Sequence, residues 1–162
     1  MIKALFAVIV VGAGIGAMMP ASTPVPSAGA VAEAAPARGG PPPAEVRLRR
    51  EGNGHFYVHA EVNGQLARFV VDTGASMVAL TVEDAKRLGV RFDEADFQIV
   101  GSGASGAVRG QMVTLDRVVV EGREVRGVSG AVLEGLPISL LGQSFLTRIG
   151  TVEMSGDNMI LR

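Results

Sequence analysis

Asp72 closes an apolar run, Phe69-Val70-Val71, and is followed by the small residues Thr73-Gly74-Ala75-Ser76. An acid at the end of a strand buried on both faces loses part of its hydration. Small residues behind it let the chain turn tightly around it. Desolvation raises the proton affinity of a carboxyl group, so Asp72 is a candidate general acid or base. The same stretch also fits an Asx turn, in which the aspartate caps its own loop and does no chemistry. Asp-Thr-Gly alone does not separate these readings.

Other patterns point to less. Gly101-Ser102-Gly103-Ala104-Ser105-Gly106 matches G-x-G-x-x-G, and Glu121 lies near the distance of a ribose-binding acid. A dinucleotide site needs a helix after the glycines. Here Ala107-Val108-Arg109-Gly110 leads into a strand. A mobile hairpin tip fits better, either as a lid over a cleft or as a plain surface loop. His55 and His59 are four residues apart, which on a strand is about 13 Å, too far to share a metal ion. No G-x-S-x-G nucleophile elbow occurs. With no cysteine, thiol catalysis, thiolate zinc and a disulfide scaffold are excluded. Fifteen Lys+Arg against sixteen Asp+Glu give a net charge of −1 and no basic footprint for nucleic acid. The small cluster Arg47, Arg49 and Arg50 reads as a solvated face or a contact with anionic lipid. No cofactor and no metal are expected.

The elements that must position Asp72 are mostly strands. Phe56, Val58, Ala60 and Val62 alternate with His55, Tyr57, His59 and Glu61, the period of a half-buried strand. Asn63-Gly64 is a strong hairpin-turn signal, and the chain returns through Leu66 to Val71. Thr81 precedes Glu83 and Asp84 as an N-cap. Val82, Ala85 and Leu88 share one helical face, and Gly89 stands where a helix ends. Strands are then expected over 97–100, 107–115, 118–120, 125–128 and 131–133, with a turn at Glu121-Gly122. A second helix is expected over 144–149. A closing hairpin, 151–154 with 159–161, turns around Gly156-Asp157-Asn158. Aromatics make up only 4% of the chain, so aliphatic residues must fill the core. Many short strands with few helices predict a mostly β domain, closed or sandwiched and antiparallel, over 45–162.

Two accessory segments precede it. Ala4 to Met19 is an unbroken run of 16 apolar or glycine residues behind Lys3. As a helix it is about 24 Å long, slightly short of a ~30 Å hydrocarbon core. It fits an uncleaved transmembrane anchor extended by Met1 and Ile2. It also fits a cleaved signal, with Ala28-Gly29-Ala30 as the A-x-A site. In both readings Lys3 keeps the N-terminus cytoplasmic and the remainder is exported. Residues 20–44 hold seven prolines among Ala, Gly and Ser and read as an extended tether.

Four pieces taken together resemble the retropepsin-like aspartic proteases, in particular their bacterial membrane-tethered type. They are the Asn63-Gly64 hairpin leading into Phe69-Val70-Val71-Asp72-Thr73-Gly74-Ala75, the helix ending Ala85-Lys86-Arg87-Leu88-Gly89, the glycine-rich hairpin, and Ile138-Ser139-Leu140-Leu141-Gly142-Gln143-Ser144-Phe145-Leu146. The resemblance covers about 54–162. It implies a closed, barrel-like acid-protease fold and an endopeptidase acting on peptide or protein substrates, with Asp72 as its catalytic residue. Thr73 would bond across a two-fold axis. Gly74 would let backbone amides approach the carboxylate, Ala75 would complete the loop, and Gly142 would pack beside it. Residues 101–106 (Gly101, Ser102, Gly103, Ala104, Ser105 and Gly106) would form a flap.

Such hydrolysis needs two carboxylates sharing one proton around a water. Two charges about 3 Å apart at an effective dielectric of ~20 repel by roughly 5–6 kcal/mol, or about four pKa units, so one carboxylate keeps its proton while the other ionises. The sequence holds one Asp-Thr-Gly, so the second Asp72 must come from another copy, giving an isologous homodimer. Retroviral members carry Arg after the second glycine motif; Gln143 stands here and cannot form an ion pair. The layout places the protein in the bacterial inner membrane by a single pass, with the 45–162 domain on the periplasmic side. A non-catalytic module that holds a peptide as an added strand is the alternative.

Overall fold

The structure, a computed structural model, describes residues 45–103 and 106–162. The expected membrane segment, the linker, and Ala104 and Ser105 lie outside the described residues. No helix among the described residues is long and apolar enough to cross a membrane.

The chain opens with β1 (Val46–Arg49) and then the hairpin of β2 (Tyr57–Val62) and β3 (Gln65–Val71). The period of two places Val58, Ala60 and Val62 inside. Asn63 and Gly64 both have positive φ, 51° and 88°, as a two-residue type I′ turn requires. Next comes β4 (Val78–Thr81), buried throughout, which runs directly into α1 (Val82–Arg87). Thr81 caps α1, its Oγ1 accepting from the Asp84 N–H at 3.0 Å. Beyond the helix, Gly89 has φ 66°.

A short 3-10 turn at Glu94–Asp96 leads to β5 (Gln98–Gly103), β6 (Gly106–Val120) and β7 (Arg123–Leu133). The strands expected at 107–115 and 118–120 are one strand, as are those at 125–128 and 131–133. Between the Leu115–Val128 and Arg117–Arg126 pairs the register is unbroken, and Gly127 there has φ 59°. Glu121 and Gly122 make the expected turn. The chain ends with β8 (Leu140–Leu141), α2 (Gln143–Leu146), β9 (Val152–Ser155) and β10 (Asn158–Leu161). Helix α2 starts one residue earlier than expected and stops at Leu146 rather than at Ile149, which is buried in the core.

The large sheet runs β2-β3-β8-β4-β7-β6-β5. Strand β2 also pairs with β6 through Glu61–Val119 and Val62–Val118, closing six strands into a barrel and leaving the β5 arm outside. Arg117 of β6 pins this closure between Glu61 of β2 and Glu124 of β7. Its hydrogen bond holds the Glu124 carboxyl below the ordinary range. The barrel matches the expected closed β fold with one addition: β3 lies parallel to β8, and β4 parallel to β7. Parallel neighbours need long crossovers, which α1, the β5–β6 arm and the intervening strands supply. A second sheet, β1-β10-β9, joins the first and last described strands.

Candidate active site

Strand β3 ends in the middle of this sheet. Val70 and Val71 lie opposite Leu140 and Leu141 of β8, and the Asp72 N–H donates to the Leu141 carbonyl at 3.1 Å. Asp72 thus leaves the sheet at a fixed point, half-buried, with Thr73 and Gly74 exposed and Ala75 buried. The Gly74 N–H donates to Asp72 Oδ1 at 2.9 Å, and the Ala75 N–H to the Asp72 carbonyl at 3.3 Å. That is the Asx turn foreseen as the structural alternative. Its Gly74 N–H is also an amide approaching the carboxylate, as the resemblance implies, so the turn geometry does not itself decide between the two.

What surrounds the turn separates it from an ordinary loop. The Gln143 N–H donates to the Ala75 carbonyl at 2.8 Å and the Ser144 N–H to the Ser76 carbonyl at 3.1 Å, so the start of α2 straps the loop down. Gly142 makes this approach possible. A Cβ there would stand 2.7 Å from the Ala75 carbonyl oxygen and closer still to that of Met77. Close approach, rather than an unusual φ, is what requires glycine here; its φ is −102°. The Ser144 hydroxyl accepts from the Val78 N–H at 3.0 Å and donates to the Ser129 carbonyl at 2.6 Å, joining α2 to β4 and β7.

Two supports were not visible in the sequence. Ser139 is fully buried; its hydroxyl donates to Asp84 Oδ2 at 2.5 Å and accepts from the Thr81 N–H at 3.2 Å. Its carbonyl accepts from Val70 N–H at 3.0 Å, so one residue ties α1, β4 and the strand carrying Asp72. The Gln143 side chain, which cannot form the ion pair of the retroviral arginine, donates to the Thr73 carbonyl of its own chain at 2.9 Å. Both residues flank the Leu140-Leu141-Gly142 motif. Polar side chains bordering an apolar run beside a glycine were the available signal.

The glycine-rich stretch forms an arm. Gly101, Ser102 and Gly103 lie in β5, and Gly106 opens β6 opposite Gly103. Val100 sits in a bulge between the Ile99–Arg109 and Gly101–Val108 pairs. Val100 of this arm and Met112 farther along β6, with Ala75, Ser76, Met77, Ala79, Ala131, Leu133 and Leu140, line one narrow cleft that is apolar apart from Ser76. The base of the arm therefore meets the Asp72 loop, while the glycines themselves do not line the cleft. The surface cluster Arg47, Arg49 and Arg50 is partly spent on local contacts: Arg50 bonds the Gly54 and Gly156 carbonyls and stacks over Phe56. His59 is exposed. Among the described residues no group of three metal-ligating side chains converges.

Comparison with known proteins agrees with this geometry. Residues 58–148 match the family model described as gag-polyprotein putative aspartyl protease. A retropepsin-like aspartic protease from Rickettsia conorii, known from its crystal structure, is 39% identical with a TM-score of 0.61; the match covers 73% of this chain and 89% of that one. The uncharacterized protein RP867 of Rickettsia prowazekii (strain Madrid E) is 40% identical over 118 residues, 72% of this chain and 51% of that protein. An uncharacterized protein in the cobV 5'region of Sinorhizobium sp is 35% identical over 120 residues, 73% of this chain and 52% of that protein. The chain thus spans about half the length of these curated relatives. The aspartate at the end of a central strand, the glycine-braced turn and the sequence matches converge: the chain belongs to the retropepsin-like aspartic protease family.

Proposed function

We propose that the protein is an aspartic endopeptidase whose two Asp72 residues come from two copies of the chain. One ionised carboxylate draws a proton from a bound water. The other, still protonated, hydrogen-bonds the scissile carbonyl and stabilises the tetrahedral intermediate. The observation that carries this reading is the Asp72 turn, strapped to α2 across Gly142 and opening beside an apolar cleft under the β5–β6 arm. Thr73, exposed at the turn, is available to bond its counterpart across the two-fold. In the same proposal residues 1–19 hold the protein in the inner membrane, 20–44 tether the domain on the periplasmic side, and confinement in the membrane raises the effective concentration of partner copies.

The test is cleavage of an unstructured peptide library by the full chain and by its Asp72→Asn variant, alongside sedimentation. Asp72→Asn is expected to lower cleavage by roughly a thousandfold or more and to leave the fold and association state unchanged. Wild-type cleavage by the variant ends the proposal. A domain that stays monomeric at high concentration, binds peptide and never cuts supports the binding-module alternative instead.

A further inference from the structure

One peptide group at the site is bonded at both ends. The Thr73 carbonyl accepts from Gln143 Nε2 at 2.9 Å, and the Gly74 N–H of the same peptide unit donates to Asp72 Oδ1 at 2.9 Å. A trans peptide is a rigid plane with its oxygen and N–H on opposite edges. Fixing the oxygen therefore fixes the direction of the N–H, and with it the carboxylate that accepts from it. A bond at the oxygen also polarises the group and strengthens donation at the other edge. The far end of this relay is itself anchored. Gln143 is the first residue of α2, its own N–H held by the Ala75 carbonyl at 2.8 Å, and it follows Gly142, where no Cβ fits.

We infer that Gln143 is a positioning residue that orients the Asp72 carboxylate through the Thr73–Gly74 peptide, from within the same subunit. Each copy thereby shapes its own half of the site before it meets its partner. This inference rests on the aspartic endopeptidase reading for its kinetic consequence, whereas the clamp itself is a property of the single chain.

Two substitutions in the full chain test it, read by peptide-cleavage kinetics and by NMR exchange of the Gly74 amide. Gln143→Met keeps an unbranched side chain of similar length and removes the donor. It is expected to speed Gly74 exchange about fivefold, the value of one ordinary hydrogen bond, and to lower kcat by a similar factor with KM within about twofold. Gln143→Arg is expected to return both readouts to near wild type, since its Nε–H stands the same number of bonds from Cα as the Gln143 amide nitrogen. Unchanged Gly74 exchange in Gln143→Met, or no recovery in Gln143→Arg, overturns the clamp. Changed exchange with kcat unaltered overturns its role in positioning Asp72. A wild-type protein that cleaves nothing removes the endopeptidase reading and the kinetic consequence, and the exchange rates then judge the clamp separately.

Discussion

The strands around Asp72 are buried on two sides, and the two sides are built differently. Toward the barrel interior they present Phe69, Val71, Leu80, Val132 and Leu141, packed with Phe145 of α2. On the outer side they present Val70, Ala79, Ala131, Leu133 and Leu140, with Ala75 of the loop. The interior is filled with large branched and aromatic groups. The outer side is rich in alanine and leaves the cleft that Val100 and Met112 overhang. Because side chains alternate along a strand, one backbone serves both. The inner side supplies the packing beneath the loop, and the outer one supplies the small side chains of the cleft beside it.

The contrast predicts a graded response. Phe69→Ala, inside and fully buried, is expected to cost about 3–5 kcal/mol in urea unfolding; a cost below about 1 kcal/mol would erase the distinction. Ser139→Ala acts at the seam between the two sides. It leaves Asp84 Oδ2 and the Thr81 N–H without this partner, at about 1–3 kcal/mol by the same measurement. Ala79→Val on the outer side enlarges a buried residue and is expected to cost about 1–3 kcal/mol while raising KM for peptides with bulky apolar side chains. Equal losses for small and bulky peptides would show that the cleft does not select.

The smallest effect belongs to the barrel closure, far more solvent-exposed than either apolar side. Glu124 is held below its ordinary range by its hydrogen bond to Arg117. Its contribution is therefore present above the usual carboxylate value and fades as pH falls through the lowered one. Arg117→Gln is expected to flatten that acid-side loss of stability slightly, seen as a smaller drop in melting temperature on acidification. An undiminished drop would assign the acid sensitivity to other groups.

Much of this architecture was legible from residue patterns. The β2–β3 hairpin followed from alternation and Asn63-Gly64. Helix α1 followed from the Thr81 cap and Gly89, because both signals are local. Strand β4 was missed: four buried residues that pass straight into a helix show neither alternation nor a turn before the cap. Strand β1 was missed because its partner β10 lies at the other end of the chain. Likewise, the bulk of an Ala75 or Met77 carbonyl against Gly142 is a tertiary fact, and so is the reach of Gln143 to Thr73. Asp72 itself stood out because an acid ending an apolar strand is conspicuous. Its braces did not, since serine and glutamine next to leucine fit many ordinary roles.

The pairing of β1 with β10 sets Val46 opposite Leu161, about 5 Å apart as in any antiparallel pair. A version of the domain starting at Glu45 could have those ends sewn together by a brief loop and be reopened at Glu121-Gly122. The barrel would then be reached from a different first residue, because what it requires is which strands become neighbours, not the order in which they are made.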